Sequence, residues 1–117
     1  MTGPEKEGEM GVDVVLMRVT QDGTSPKRRR RSPLAMVADE GDDLAQAFTQ
    51  SGMPMLSRVY PYKDLILTAA EMEQFMQEAE SLIAGADVTC AARLRQVLGL
   101  ARRCRNEPGT ELHLQGD

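Results

Sequence analysis

Two successive apolar stripes at helical spacing dominate the second half of the chain. Met72, Phe75, Met76, Ala79, Leu82 and Ile83 recur at three- and four-residue intervals, as do Cys90, Leu94, Val97, Leu98, Ala101 and Cys104. Local punctuation fixes where each begins. Thr68-Ala69-Ala70-Glu71 is a capping box, flanked by Leu67 and Met72 at the hydrophobic-staple positions. Gly85 closes the first stripe, and Asp87 or Thr89 caps the second. Gly99 weakens the second by about 1 kcal/mol relative to Ala. Arg102, Arg103 and Arg105 suit its negative end, and Pro108-Gly109 stops it. The spacing predicts helices over 69–84 and 89–106.

Helices with one oily side need an apolar surface to lie on, and the remaining segments supply strands. Residues 12–20 are rich in β-branched side chains and end at an Asp22-Gly23 turn. Both faces of that strand are apolar, which predicts a central position. Residues 55–60 form a second predicted strand, turned by Pro61-Tyr62-Lys63-Asp64 into a return strand at 65–67. Residues 110–114 alternate, with Leu112 and Leu114 inward and Glu111 and His113 outward. Residues 34–38 are a further candidate strand. A short helix at 44–51 follows a cap at Asp42 or Asp43 and is stopped by Gly52 and Pro54. The expectation is one α+β domain over 11–117, a small mostly antiparallel sheet with helices on one face. Residues 1–10 are expected to form a disordered tail, and 24–32 an exposed basic loop.

The chemistry this sequence encodes is sparse. His113 is the only histidine, and neither CxxC nor HExxH is present, so no metal site is expected. No glycine-rich phosphate loop occurs, and Asp39, Glu40, Asp42 and Asp43 lack the ligand spacing of a calcium loop. They read as a solvated acidic loop. Cys90 and Cys104 share one predicted helix and stand roughly 21 Å apart, too far for a disulfide. No cofactor and no enzymatic activity are expected. The absence of a long apolar run and of a secretory leader implies a cytoplasmic protein with no membrane partner.

Candidate contact residues fall in two places. Lys27, Arg28, Arg29, Arg30 and Arg31 form a basic run in a chain of net charge −4. The run reads either as a solubilising loop held against the Asp39–Asp43 patch or as a binding element for an acidic partner or nucleic acid. No aromatic residues interleave with it to stack on bases. Tyr60, Tyr62 and Lys63 surround the predicted hairpin turn, where exposed aromatics commonly make contacts. Arg93, Arg95, Arg102, Arg103 and Arg105 read as the polar face of the last helix.

The stretch Ser57-Arg58-Val59-Tyr60-Pro61-Tyr62-Lys63-Asp64-Leu65-Ile66-Leu67-Thr68-Ala69-Ala70-Glu71-Met72 resembles a strand–turn–strand–helix segment of small actinobacterial proteins of unassigned activity. The opening Gly11-Val12-Asp13-Val14-Val15-Leu16 and the ending Leu112–Asp117 are similar in style. The resemblance spans residues 11–117 and implies a bacterial, cytoplasmic protein; it assigns no functional residues. The expected function is a protein–protein interaction or regulatory module, immunity- or antitoxin-like. The alternative is a nucleic-acid-binding accessory protein acting through residues 27–31.

Overall fold

Strand β1 (Val12–Gln21) runs through the interior of a four-stranded sheet, as its doubly apolar sequence requires. The computed structural model describes residues 11–21, 23, 29–60 and 62–116. Strand β2 (Arg29–Val37), β3 (Asp64–Thr68) and β4 (Thr110–Gly116) complete the sheet in the order β2-β1-β4-β3, with every pairing antiparallel. Helices α1 (Asp43–Thr49), α2 (Met72–Gly85) and α3 (Val88–Asn106) join it to make an α+β fold.

The register decides which side chains meet the helices. Val14 and Leu16 of β1 stand opposite Leu114 and Leu112 of β4, which in turn face Leu65 and Leu67 of β3. Val14, Leu16, Leu67, Leu112 and Leu114 are fully buried and cluster with Leu94, Val97, Ala101 and Cys104 of α3 and with Met72 and Phe75 of α2. Each large buried side chain contributes about 1.5–3 kcal/mol of burial. Phe48 of α1 meets Phe75 of α2 with ring centroids 6.4 Å apart, fixing the short helix to the same interior.

Three expectations are corrected. Residues 55–60 do not form a strand: Leu56–Arg58 is a single 3-10 turn. The cause lies on α2, where the Glu78 carboxylate accepts hydrogen bonds from the backbone N–H of Met55 (3.1 Å) and Leu56 (2.9 Å). Donors spent on a side chain are lost to a ladder, and Met55, Leu56 and Val59 are buried in the helix-side core instead. No 55–60/65–67 hairpin forms, and β3 pairs with β4. Nor is residue 32 the end of a loop, because β2 begins at Arg29 and includes Arg29, Arg30, Arg31 and Ser32, paired with β1 from Arg18 to Gln21. A register shift between Leu16 and Met17 lets this pairing continue past Pro33.

Helix starts follow the sequence more closely. The reciprocal capping box at Thr68 and Glu71 is present, with Thr68 N–H donating to Glu71 Oε1 at 2.8 Å. It opens a 3-10 turn at Ala69–Glu71 before α2 proper. Asp87 caps α3, accepting from the Cys90 N–H at 2.8 Å. At α1 the N-cap residue is Asp42, yet the capping carboxylate belongs to Asp39. It accepts from Leu44 N–H (2.9 Å) and Ala45 N–H (3.0 Å), and also from Val12 N–H (3.0 Å) at the start of β1.

Candidate functional site

The helices cover one face of the sheet. Alternation along the strands sends Asp13, Val15, Met17 and Val19 of β1 to the other face, together with Glu111, His113 and Gln115 of β4. β2 adds Arg29, Arg31, Pro33 and Met36, and β3 adds Asp64 and Ile66. Val15, Met17, Leu34, Met36 and Ile66 stand outside the core cluster formed with the helices. One row across this open face reads Met36, Val15, His113, Ile66. Its two inner members are buried, at 3% and 4% exposure, while its outer members are 58% and 43% exposed. Neighbouring strands thus shield the centre of the row and leave its flanks in water. Leu34, at the irregularity in β2, is a third exposed apolar side chain, at 38%. Beside it a shallow depression of about 410 Å³ is lined by Val15, Met17, Leu34 and Met36 among others.

His113 points away from the helices, as its alternation predicts, but it is buried rather than solvated. Its Nε2 lies 2.9 Å from Glu111 Oε1, and Arg31 Nε donates to the same oxygen at 2.9 Å. Burial pushes the Glu111 carboxyl up, but the hydrogen bonds and charges of Arg31 and His113 outweigh it and hold the carboxyl below its usual range. An ionised carboxylate only accepts, so the imidazole nitrogen facing it carries the hydrogen. The arrangement is a fixed Arg31–Glu111–His113 network stitching β2 to β4 across β1. Its hydroxyl neighbours in the chain, Ser32 and Thr110, alternate to the other face of the sheet, where Thr110 donates to the Glu107 carbonyl at 2.7 Å. Cys104 is buried on the helix side, and burial raises its thiol pKa, as it does that of Cys90. Both therefore stay protonated and weakly nucleophilic near neutral pH.

The candidate contact residues separate accordingly. Lys27 and Arg28 lie outside the described residues. Arg29 and Arg31 share the open face, and Arg30 alternates to the other side of the edge strand. Arg31 is held by Glu111 and not by the Asp39–Asp43 patch, whose Glu40 pairs instead with Arg93 at 2.9 Å. Tyr60 and Tyr62 are exposed and pack on one another with ring centroids 5.2 Å apart. The Lys63 backbone anchors this turn, donating to the Tyr60 carbonyl (3.1 Å) and accepting from Gly116 N–H (3.2 Å). The pair thereby sits at the Asp64 end of β3.

Elsewhere, a second open depression of about 410 Å³ lies where α1 meets the α2–α3 junction, lined by Asp43, Gln46, Leu82, Asp87 and Cys90 among others. Of its two carboxylates, that of Asp87 is engaged as the α3 cap. Among the described residues no group of three or more His, Cys, Asp or Glu is placed to hold a metal ion. Likewise, no described helix is long and apolar enough to cross a membrane. Leu34, Met36 and Ile66 are the surface residues that sequence inspection missed. The signal was the apolar run at 34–38 and the apolar triplet Leu65-Ile66-Leu67, read there only as strand segments with no face assigned. Compared with protein-family models, curated proteins and solved structures, the chain matches none.

Proposed function

We propose that this chain is a non-catalytic interaction module of a bacterial cytoplasm, which regulates a protein partner by docking on it with the open face of its sheet. Immunity and antitoxin proteins act in the same manner, by occupying their target. The observation that carries this is the sheet face that no helix covers among the described residues, where Leu34, Met36 and Ile66 are exposed while the other sheet face packs on the helices. Several large apolar side chains exposed on one face are the kind of surface that interaction sites use. Docking by strand addition at β2 is less favoured. Pro33 lacks an N–H to donate, the register shift bends the strand, and three arginines charge its end.

A nucleic-acid role through residues 27–31 has less support. Cations tracking a phosphate backbone work best in a row on one surface, whereas Arg30 projects opposite to Arg29 and Arg31, and Glu111 neutralises Arg31.

The test places a photoreactive side chain at Met36 or Ile66, with Gln77 on the exposed side of α2 as control, in cells producing the full chain. A heterologous protein crosslinked in stoichiometric amount from positions 36 and 66, but not from 77, is the expected result. Equal labelling from all three positions, or none from the open face, overturns the proposal.

A further inference from the structure

Two opposite charges, Arg29 and Asp64, lie at diagonally opposite corners of the open face. Arg29 stands opposite Gln21 at one end of edge strand β2, and Asp64 opposite Gln115 at the other end of edge strand β3. Arg31 adjoins the first corner. The exposed Tyr60–Tyr62 pair precedes Asp64 in the chain at the second. Between the corners stand Leu34, Met36 and Met17 on the β2–β1 side and Ile66 on β3, with the Glu111–His113 pair of β4 between them. A surface with a cation at one corner, a carboxylate at the diagonal corner and apolar side chains on both flanks is complementary to itself.

We infer that the occupant of the open face, when no other partner holds it, is a second copy of this chain. This rests on the same face being a protein-docking surface. A two-fold axis lying between the sheets exchanges the two corners and sets Arg29 of each copy on Asp64 of the other. Each contact then occurs twice, as an isologous interface requires. Strands of the two sheets cross steeply, one of the two regular ways in which sheets pack. Met17 and Met36 adapt their unbranched side chains to an imperfectly matched centre. Lys63 puts a positive charge beside Asp64, of the same sign as the incoming Arg29, so the test turns on the Arg29–Asp64 pair and not on net charge.

The face is small, which sets the strength of pairing. Four strands about 4.8 Å apart and roughly seven residues long at about 3.4 Å give roughly 450 Å² per copy. Roughly 900 Å² in total lies below the size of stable specific interfaces, in the range of weak, transient encounters. The dimer is therefore weak and exchangeable, dissociating in the micromolar range or above. That strength lets a target protein displace the second copy.

Sedimentation velocity on the full chain, from about 1 µM to about 1 mM, reads the equilibrium directly. The wild type is expected to pass from monomer to dimer. Arg29→Asp and Asp64→Arg each weaken the dimer about threefold, and the doubly exchanged chain returns close to wild type. Ile66→Asp weakens it by about thirtyfold or more. Circular dichroism melts confirm that each variant keeps its fold. A chain that stays monomeric throughout, or dimers indifferent to all four open-face variants, overturn the inference. If the monomeric chain still crosslinks another protein from position 36, the docking face stands and self-pairing alone falls. If dimers form as expected but no heterologous adduct appears, the reverse holds.

Discussion

Asp39 accepts hydrogen bonds from Val12, Leu44 and Ala45, and its own N–H donates to Asp13 Oδ1 at 2.9 Å. One carboxylate thus ties the start of β1 to the first turn of α1. Asp39→Ala leaves three backbone donors without their acceptor, and the expected cost is about 2 kcal/mol in urea unfolding. Asn at this position should recover part of that loss. Glu78 does comparable work from α2, accepting from Met55, Leu56 and the Gln74 side chain. Burial alone would raise its carboxyl pKa, but the amide of Gln74 and the backbone N–H groups of Leu56 and Met55 win and hold it below the ordinary value of 4.5. The unfolded chain then takes up this proton more readily than the folded one. Stability from Glu78 is full above the unfolded-state pKa and is lost as pH falls through the depressed folded value. Glu78→Gln should lower the urea midpoint at neutral pH and flatten its decline on acidification below about 4.5. None of this was legible in the sequence. Asp39 read as one member of a solvated acidic loop and Glu78 carried no signal of its own, because their partners lie as far as 27 residues away. His113 was legible in direction but not in burial, since its cross-strand neighbours, Val15 of β1 and Ile66 of β3, are brought beside it only by the sheet.

Among the elements, the two long helices were nearly complete in the sequence. Their stripes, the capping box and the Asp87 cap are all local signals, and the observed bounds differ by a residue or two except at the 3-10 entry to α2. Strands fared less evenly, because a strand is specified by its neighbour. β1 was recognisable from its two apolar faces. β2 was recognisable only in its apolar second half, the candidate strand at 34–38, because its first four residues are Arg29, Arg30, Arg31 and Ser32, which only become strand by pairing with Arg18–Gln21. The apolar run at 55–60 looked like strand and became a turn once Glu78 had taken its donors. Within α3, Gly99 carries an avoidable cost. A methyl group there meets no heavy atom within 4 Å, and the residue has helical backbone. Gly99→Ala should raise stability by about 0.5–1 kcal/mol, visible as a higher thermal midpoint.

Across the whole molecule, the layered arrangement follows from a simple inventory. Two helical stripes and the inward leucines of β3 and β4 satisfy one another, and the remaining apolar side chains of β1, β2 and β3 have no second helical layer among the described residues. The sequence disclosed the first half of that statement and concealed the second, because an apolar residue on a strand does not say which side is covered. The order β2-β1-β4-β3 has a further consequence for how the molecule is made. The first strand to be synthesised lies at the centre, against the last. A ribosome-bound chain can close the β1–β2 ribbon early, but Val14 and Leu16 then wait for residues 110–116 to emerge. Until β4 arrives, that side of β1 is an unpaired apolar edge, the kind of surface on which nascent chains mispair.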